Sequence, residues 1–274
     1  MLALDSQPTI PTARSRRAPS AAQVVGAIAR REIGLAARRQ LPRALFFASL
    51  VPPVVLILFL LVRLFAEQTT GTKLPWDPVL RFLLIQSGPV TLLALSLGTP
   101  LVSRDRAEDV LFLYAVRPVL PWHYALGKLL AVALPSGLLM LTPGAMIAML
   151  RLTVTGDLAF GQASALVAKL TLVAILVACA FSGITVGASA ITKKARWSLL
   201  IAVMIFVVPD ALAKMSSERH AWPIGPASAI EVLIKALFHD DYTARAVVAV
   251  FALLGYGILG FLLTTERVRG EMIP

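Results

Sequence analysis

Apolar residues fall into six long runs, each close to the roughly 20 positions that a helix needs to cross a bilayer. They cover residues 44–62, 82–102, 129–150, 170–191, 197–213 and 246–265, and the fifth is the shortest, with Pro209 and Asp210 near its end. None has a charged side chain near its middle, where Asp, Lys or Arg would cost about 2.5–3.5 kcal/mol on insertion scales. The pattern predicts an all-α polytopic membrane protein with six transmembrane helices. It speaks against a charged relay at mid-depth.

Two shorter segments carry a different pattern. Between residues 22 and 40, Ala22, Val25, Ala29, Ile33 and Ala36 share one helical stripe, while Arg30, Arg31, Arg38 and Arg39 lie on the other half. A helix along the cytoplasmic membrane surface is expected, within an interfacial region 21–43. Val24, Ile28 and Leu35 fall among the arginines, so a face packed on protein competes with a face laid in lipid. Over residues 226–238, Ile230, Leu233, Ile234, Leu237 and Phe238 keep helical spacing, and Glu231 and Lys235 pair four apart on the other face. Trp222 and Pro223 precede this segment. It reads as a non-cytoplasmic amphipathic or re-entrant element before the last span.

Composition sharpens the picture by exclusion. With 58% hydrophobic and 15% charged residues, the chain has too little polar surface for a soluble domain and too much apolar surface for disorder. Its one cysteine, Cys179, lies in the fourth run, so no intramolecular disulfide and no cysteine-rich metal site can form. The first 20 residues are polar, with Pro and Arg, and lack an apolar core followed by a small-residue cleavage site. They are expected to form a disordered cytoplasmic tail and not a signal peptide; residues 266–274 are expected to be a cytoplasmic C-terminal tail.

The net charge of +11 admits nucleic acid, an anionic membrane face or an acidic partner. Placement decides. Of the 26 Lys and Arg, 17 fall on one side: those of residues 1–43, Arg104, Arg106, Arg117, Lys128, Lys193, Lys194, Arg196, Arg267 and Arg269. That side is cytoplasmic by the positive-inside rule, with both termini there, and its charge faces anionic lipid. Nucleic acid becomes an unnecessary partner.

The loop between the second and third spans is the most informative stretch. Asp105 and Glu108 form a capping-box-like start, Glu108 and Asp109 suit the positive end of a helix, and Pro118 restricts Arg117 and ends it. A helix over 105–116 is expected, charged in its first turn and apolar from 110. Tied to two spans, it is suited to receiving a push from a soluble partner. Composition alone favours a membrane-resting connector helix over that role.

Ser103, Arg104, Asp105, Arg106, Leu113, Tyr114, Arg117, Pro118, Trp122, Tyr124, Gly127 and Lys128 give the pattern S-R-D-R, L-x-L-Y, R-P-x-x-x-W-x-Y-x-L-G-K. It resembles the cytoplasmic loop of six-span permeases of the type-2 ABC transporter family. Two positions depart: the family often has Gly where Asp109 stands, and a basic residue where Pro121 stands. The resemblance implies a permease subunit, an exporter, in the bacterial inner membrane, its loop a coupling helix docked on a cytoplasmic ABC ATPase and its path between two permease subunits. The implied coupling residues are Arg104, Asp105, Arg106, Glu108, Asp109, Leu113, Tyr114, Arg117 and Pro118. No phosphate-binding loop is present, since the Gly127-Lys128 pair is followed by Leu129. ATP and Mg would belong to the partner, with no cofactor, metal or catalytic residue on this chain.

Two other classes compete. A membrane enzyme would need clustered chemistry, yet His123, His220 and His239 lie in separate loops, and His239-Asp240-Asp241 reads as a solvated loop. An ATP-independent carrier or channel would need broken helices, for which Pro52-Pro53, Ser87-Gly88-Pro89, Pro135 and Pro143 supply sites. In the fourth span Ala174, Ala178, Ser182, Gly183 and Gly187 permit close helix approach, within one subunit or between two.

Overall fold

A computed structural model describes residues 19–71, 78–115, 119–155, 159–215, 222–239 and 243–272, and among these every regular element is a helix. In chain order they are α1 (Ala21–Arg38), α2 (Gln40–Ala48), α3 (Val51–Thr70), α4 (Pro78–Gly98), α5 (Leu101–Ala107) and α6 (Leu111–Ala115). There follow α7 (Pro121–Leu150), α8 (Phe160–Ile191), α9 (Ala195–Met215), α10 (Pro226–His239) and α11 (Ala244–Met272). A π-helical turn, Arg151–Thr155, continues α7. Six stretches are long and apolar enough to cross a membrane: Gln40–Glu67, Arg81–Ala107, Pro121–Thr153, Phe160–Ile191, Ala195–Ala213 and Ala244–Met272. Each contains one of the six expected runs. The expected N-terminal tail lies almost wholly outside the described residues.

Prolines set the breaks. Pro53 has no N–H for the carbonyl of Ser49, and the first span divides there into α2 and α3. Pro143, inside α7, likewise frees the carbonyl of Leu139. Both orphans are served by one side chain: the fully buried Gln86 of α4 donates through Nε2 to Ser49 O at 3.0 Å and to Leu139 O at 3.3 Å. Interhelical bonds in membrane proteins are worth about 0.6–1.7 kcal/mol each. Gln86→Leu is therefore expected to cost roughly 1–3 kcal/mol, read as a lowered unfolding midpoint in detergent. Pro53→Ala in that background should recover part of it by returning the missing donor.

The densest packing lies between α8 and α11, where Gly183 and Gly187 meet Gly257 and Gly260 backbone to backbone. The small residues of the fourth span thus serve close approach inside this chain. Beside them, Asp210 of α9 accepts from Ala227 N and Ser228 N, both at 2.9 Å, and so caps the start of α10. Tyr256 of α11 donates to Ile224 O at 3.0 Å. The segment before the last span is thereby anchored to both neighbouring spans.

Two expectations change in detail. α11 runs to Met272 without a separate tail from 266, because Val268 and Met272 continue its buried stripe. On α1 the buried residues are Val25, Ile28 and Ala29; of the expected stripe, Val25 and Ala29 are buried, Ile33 and Ala36 half-buried and Ala22 exposed, with Ile28 added to the face. Ile28 fits against Gly127 of α7 so closely that a Cβ there would meet its Cγ2 at 2.7 Å. This face packs on protein, while Arg30, Arg31 and Arg38 are exposed and Arg39 is half-buried.

Candidate functional site: a charged junction at one end of the bundle

The loop expected to carry the function is not one helix over 105–116. Its first part, α5, prolongs the second span past Pro100. Asp105 therefore sits inside a helix and caps nothing. The N–H groups of Val102 and Ser103, freed by the break, both donate at 2.9 Å to Ser189 Oγ near the end of α8. Arg106 answers in the other direction. Its Nη1 donates to the carbonyl of Ala190, in the last turn of α8, and its Nη2 pairs with Glu271 of α11 at 2.6 Å.

At Asp109 the chain turns left-handed, with φ 51°. Val110 N donates to Asp105 O at 2.9 Å, the six-to-one bond of a Schellman cap. Aspartate is among the few side-chain-bearing residues that tolerate this conformation, and glycine adopts it without penalty. The first of the two positions at which the sequence departs from the resembled pattern is thus one where backbone geometry favours glycine. Asp109→Gly is expected to leave stability unchanged or raise it by a few tenths of a kcal/mol, and Asp109→Val to lower it by about 1–2 kcal/mol. Thermal unfolding of the two proteins side by side checks the pair.

Beneath α5 lies a buried ionic group. Lys128 of α7 is fully buried, and its ammonium is met by three oxygens, two as hydrogen-bond acceptors and that of Asp105 as an ion pair. These are Glu32 Oε1 of α1 at 2.8 Å, Asp105 Oδ2 at 2.6 Å and Leu101 O at 3.2 Å. Tyr124, one turn earlier on α7, donates to Asp105 Oδ2 at 2.7 Å, and its ring lies 5.1 Å from the Lys128 ammonium. Tyr114 of α6 packs edge-on against Tyr124 at 5.3 Å, and Arg31 Nη1 approaches its hydroxyl at 3.4 Å. The group joins α1, α5, α6 and α7.

The implied coupling residues divide accordingly. Asp105 and Arg106 are committed to internal bonds, and Ser103 is buried. Arg104 and Glu108 are exposed and pair with each other at 2.8 Å, and Asp109 is exposed at the turn. Tyr114 is half-buried; the side chain of Leu113, together with Arg117 and Pro118, lies outside the described residues. Sequence reasoning missed Glu32, Ser189 and Glu271. Glu32 was findable, since it continues the 25, 28, 29 stripe by helical spacing and is the one acidic residue of α1. Among the described residues no group of three metal-ligating side chains occurs.

No protein-family model matches this chain, and no curated protein matches it significantly.

Proposed function

We propose that this chain is the membrane-spanning permease subunit of an ATP-binding-cassette exporter of the type-2 kind, in a bacterial inner membrane. In this reading two permease subunits form the path and two cytoplasmic ATPase domains supply the work. The observation that carries it is the way the exposed turn is tied down. Arg104, Glu108 and Asp109 face solvent on a short element whose other side is bonded to α7, α8 and α11, and through Lys128 to α1. A displacement imposed at that turn is shared with the second, third, fourth and sixth spans, as transmission of a partner's motion requires. The first and fifth spans are the least covered by the rest of the chain, which leaves their faces to lipid or a second subunit.

The test is co-expression with a candidate cytoplasmic ABC ATPase, reading co-purification and ATPase stimulation. Asp109→Lys would confound charge with backbone strain, so the better reversal is Glu108→Lys with Asp109→Asn, which keeps the left-handed turn. A close charged contact near a surface is worth on the order of 1–4 kcal/mol before screening, so ATPase affinity should fall about tenfold or more. The fold should be spared, because the exposed Arg104–Glu108 pair contributes little. Lys193→Glu, exposed on the same side, is the control. Wild-type association in both proteins would make the loop a passive connector. A carrier driven by ions finds one point in its favour, the buried amide of Gln86 among proline-broken helices; transport by the chain without any ATPase would support that reading instead.

A further inference from the structure

We infer that the elbow between α1 and α2 holds one anionic phospholipid, its phosphate on Arg43 and an acyl chain in the crevice behind it. The crevice, about 330 Å³, is walled by Ile33 and Ala37 of α1, Phe46 and Phe47 of α2, Leu93 of α4 and Pro135 of α7, with Arg43 the one charged residue in its wall. Its lining runs four positions along each of three helices: Arg43 to Phe47, Leu97 to Leu93 and Ala131 to Pro135. At 1.5 Å per residue each step is about 6 Å along the helix axis, and all three lead away from the end that carries Arg43. The cavity is therefore polar at one end and apolar as it deepens, as the shape of a lipid requires.

Charge and depth select the occupant. Arg43 lies in the first turn of the span that starts at Gln40, at the level where headgroups sit. Arg43 is exposed and has no acidic partner among the described residues, and neither the exposed Arg38 nor the half-buried Arg39 beside it has one. Arg39 lines the adjoining cleft, which shares Ala36, Pro42 and Leu97 with the crevice. Among the described acidic residues at this end, Glu32 and Asp105 are engaged with Lys128, Glu108 with Arg104 and Glu271 with Arg106, while Asp109 and Glu266 are exposed and pair with none of Arg38, Arg39 and Arg43. No described carboxylate meets Arg43, and a crevice between membrane helices is filled from the bilayer. Guanidinium recognises phosphate with directed hydrogen bonds. A larger crevice of about 550 Å³ between α7, α8 and α11 has no charged residue in its wall and gives no such selection.

Native mass spectrometry of the full chain, delipidated and then titrated with phosphatidylglycerol or phosphatidylcholine, tests this. One phosphatidylglycerol should bind at least tenfold more tightly than phosphatidylcholine. Arg43→Gln should bring the two lipids within about twofold of each other, and Arg30→Gln, exposed on α1 and outside the crevice, should leave the preference intact. Ala37→Trp, which fills the crevice from an exposed position and keeps every arginine, should also lose the tight phosphatidylglycerol. The inference is overturned by equal binding of both lipids to the unaltered chain, by a preference that survives Arg43→Gln, or by one that survives Ala37→Trp. Displacement of the lipid by millimolar inorganic phosphate would reduce the site to a phosphate site and overturn the lipid assignment. The outcome is independent of any ATPase.

Discussion

Lys128→Met is expected to destabilise the protein by about 3–5 kcal/mol, the usual cost of removing one partner from a buried ion group. Two carboxylates now lie within 2.8 Å of the same ammonium. Without it, Glu32 and Asp105, with side chains only 12% and 16% exposed, are left facing each other with no ammonium between them, and their repulsion works to part the helices. The apparent unfolding midpoint in detergent should fall by on the order of 10 °C. Desolvation predicts a second result that a merely steric account does not. Lys128→Met combined with Glu32→Gln and Asp105→Asn should regain most of the loss, because replacing a whole buried ion group by neutral side chains is often nearly neutral. A single variant with an unchanged midpoint, or a triple variant no better than the single, would show that the cluster does not hold α1 to α5 and α7. The result also bears on function, since the same carboxylate of Asp105 ties the exposed turn to the third span.

The contrast between Lys128 and the six spans shows what the sequence can disclose. A span is written in consecutive residues, because lipid demands about 20 apolar side chains in a row whatever the rest of the chain does. Prolines 52, 53 and 143 were visible as breaks for the same reason. What they leave behind was not visible: Gln86 serves carbonyls 37 and 53 residues away, and nothing local marks it as their donor. The loop helix shows the opposite error. Asp105 and Glu108 have the spacing of a capping box, and local reading started a helix there. The structure spends Asp105 on Lys128 and Tyr124, because α4 has already delivered the chain in helical form past Pro100. Charge pairing over 96 residues, as in Lys128 and Glu32, outweighs a signal of three residues. At the C-terminal end a tail is expected from 266, where the last apolar run has ended, yet Val268 and Met272 are buried and carry α11 on to Glu271 and its bond with Arg106.

Gly260→Val is expected to prevent the protein from accumulating in folded form, with a loss exceeding the roughly 1–3 kcal/mol typical of an overpacked core. A Cβ on Gly260 would run into the backbone of Gly183, and one on Gly183 into the carbonyl of Tyr256 and the Cα of Gly257. One on Gly187 would lie 2.9 Å from the Gly260 Cα. An overfilled pocket can yield by turning a side chain, but main chain on both sides cannot, so α8 and α11 must separate along their length. That separation pulls Glu271 from Arg106 and Tyr256 from Ile224, since both partners ride on α11. Gly183→Val should fail in the same way. The matched control is Gly255→Val, on the same helix, where an added Cβ meets nothing within 4 Å. It should fold, because glycine and valine differ by only a few tenths of a kcal/mol in helix propensity. Size-exclusion profiles and yields of the three proteins in mild detergent decide the matter. If Gly260→Val were as monodisperse and heat-resistant as Gly255→Val, the glycine contact would not be the seam that holds the last span, and the fourth span's small residues would be free to serve a contact between subunits.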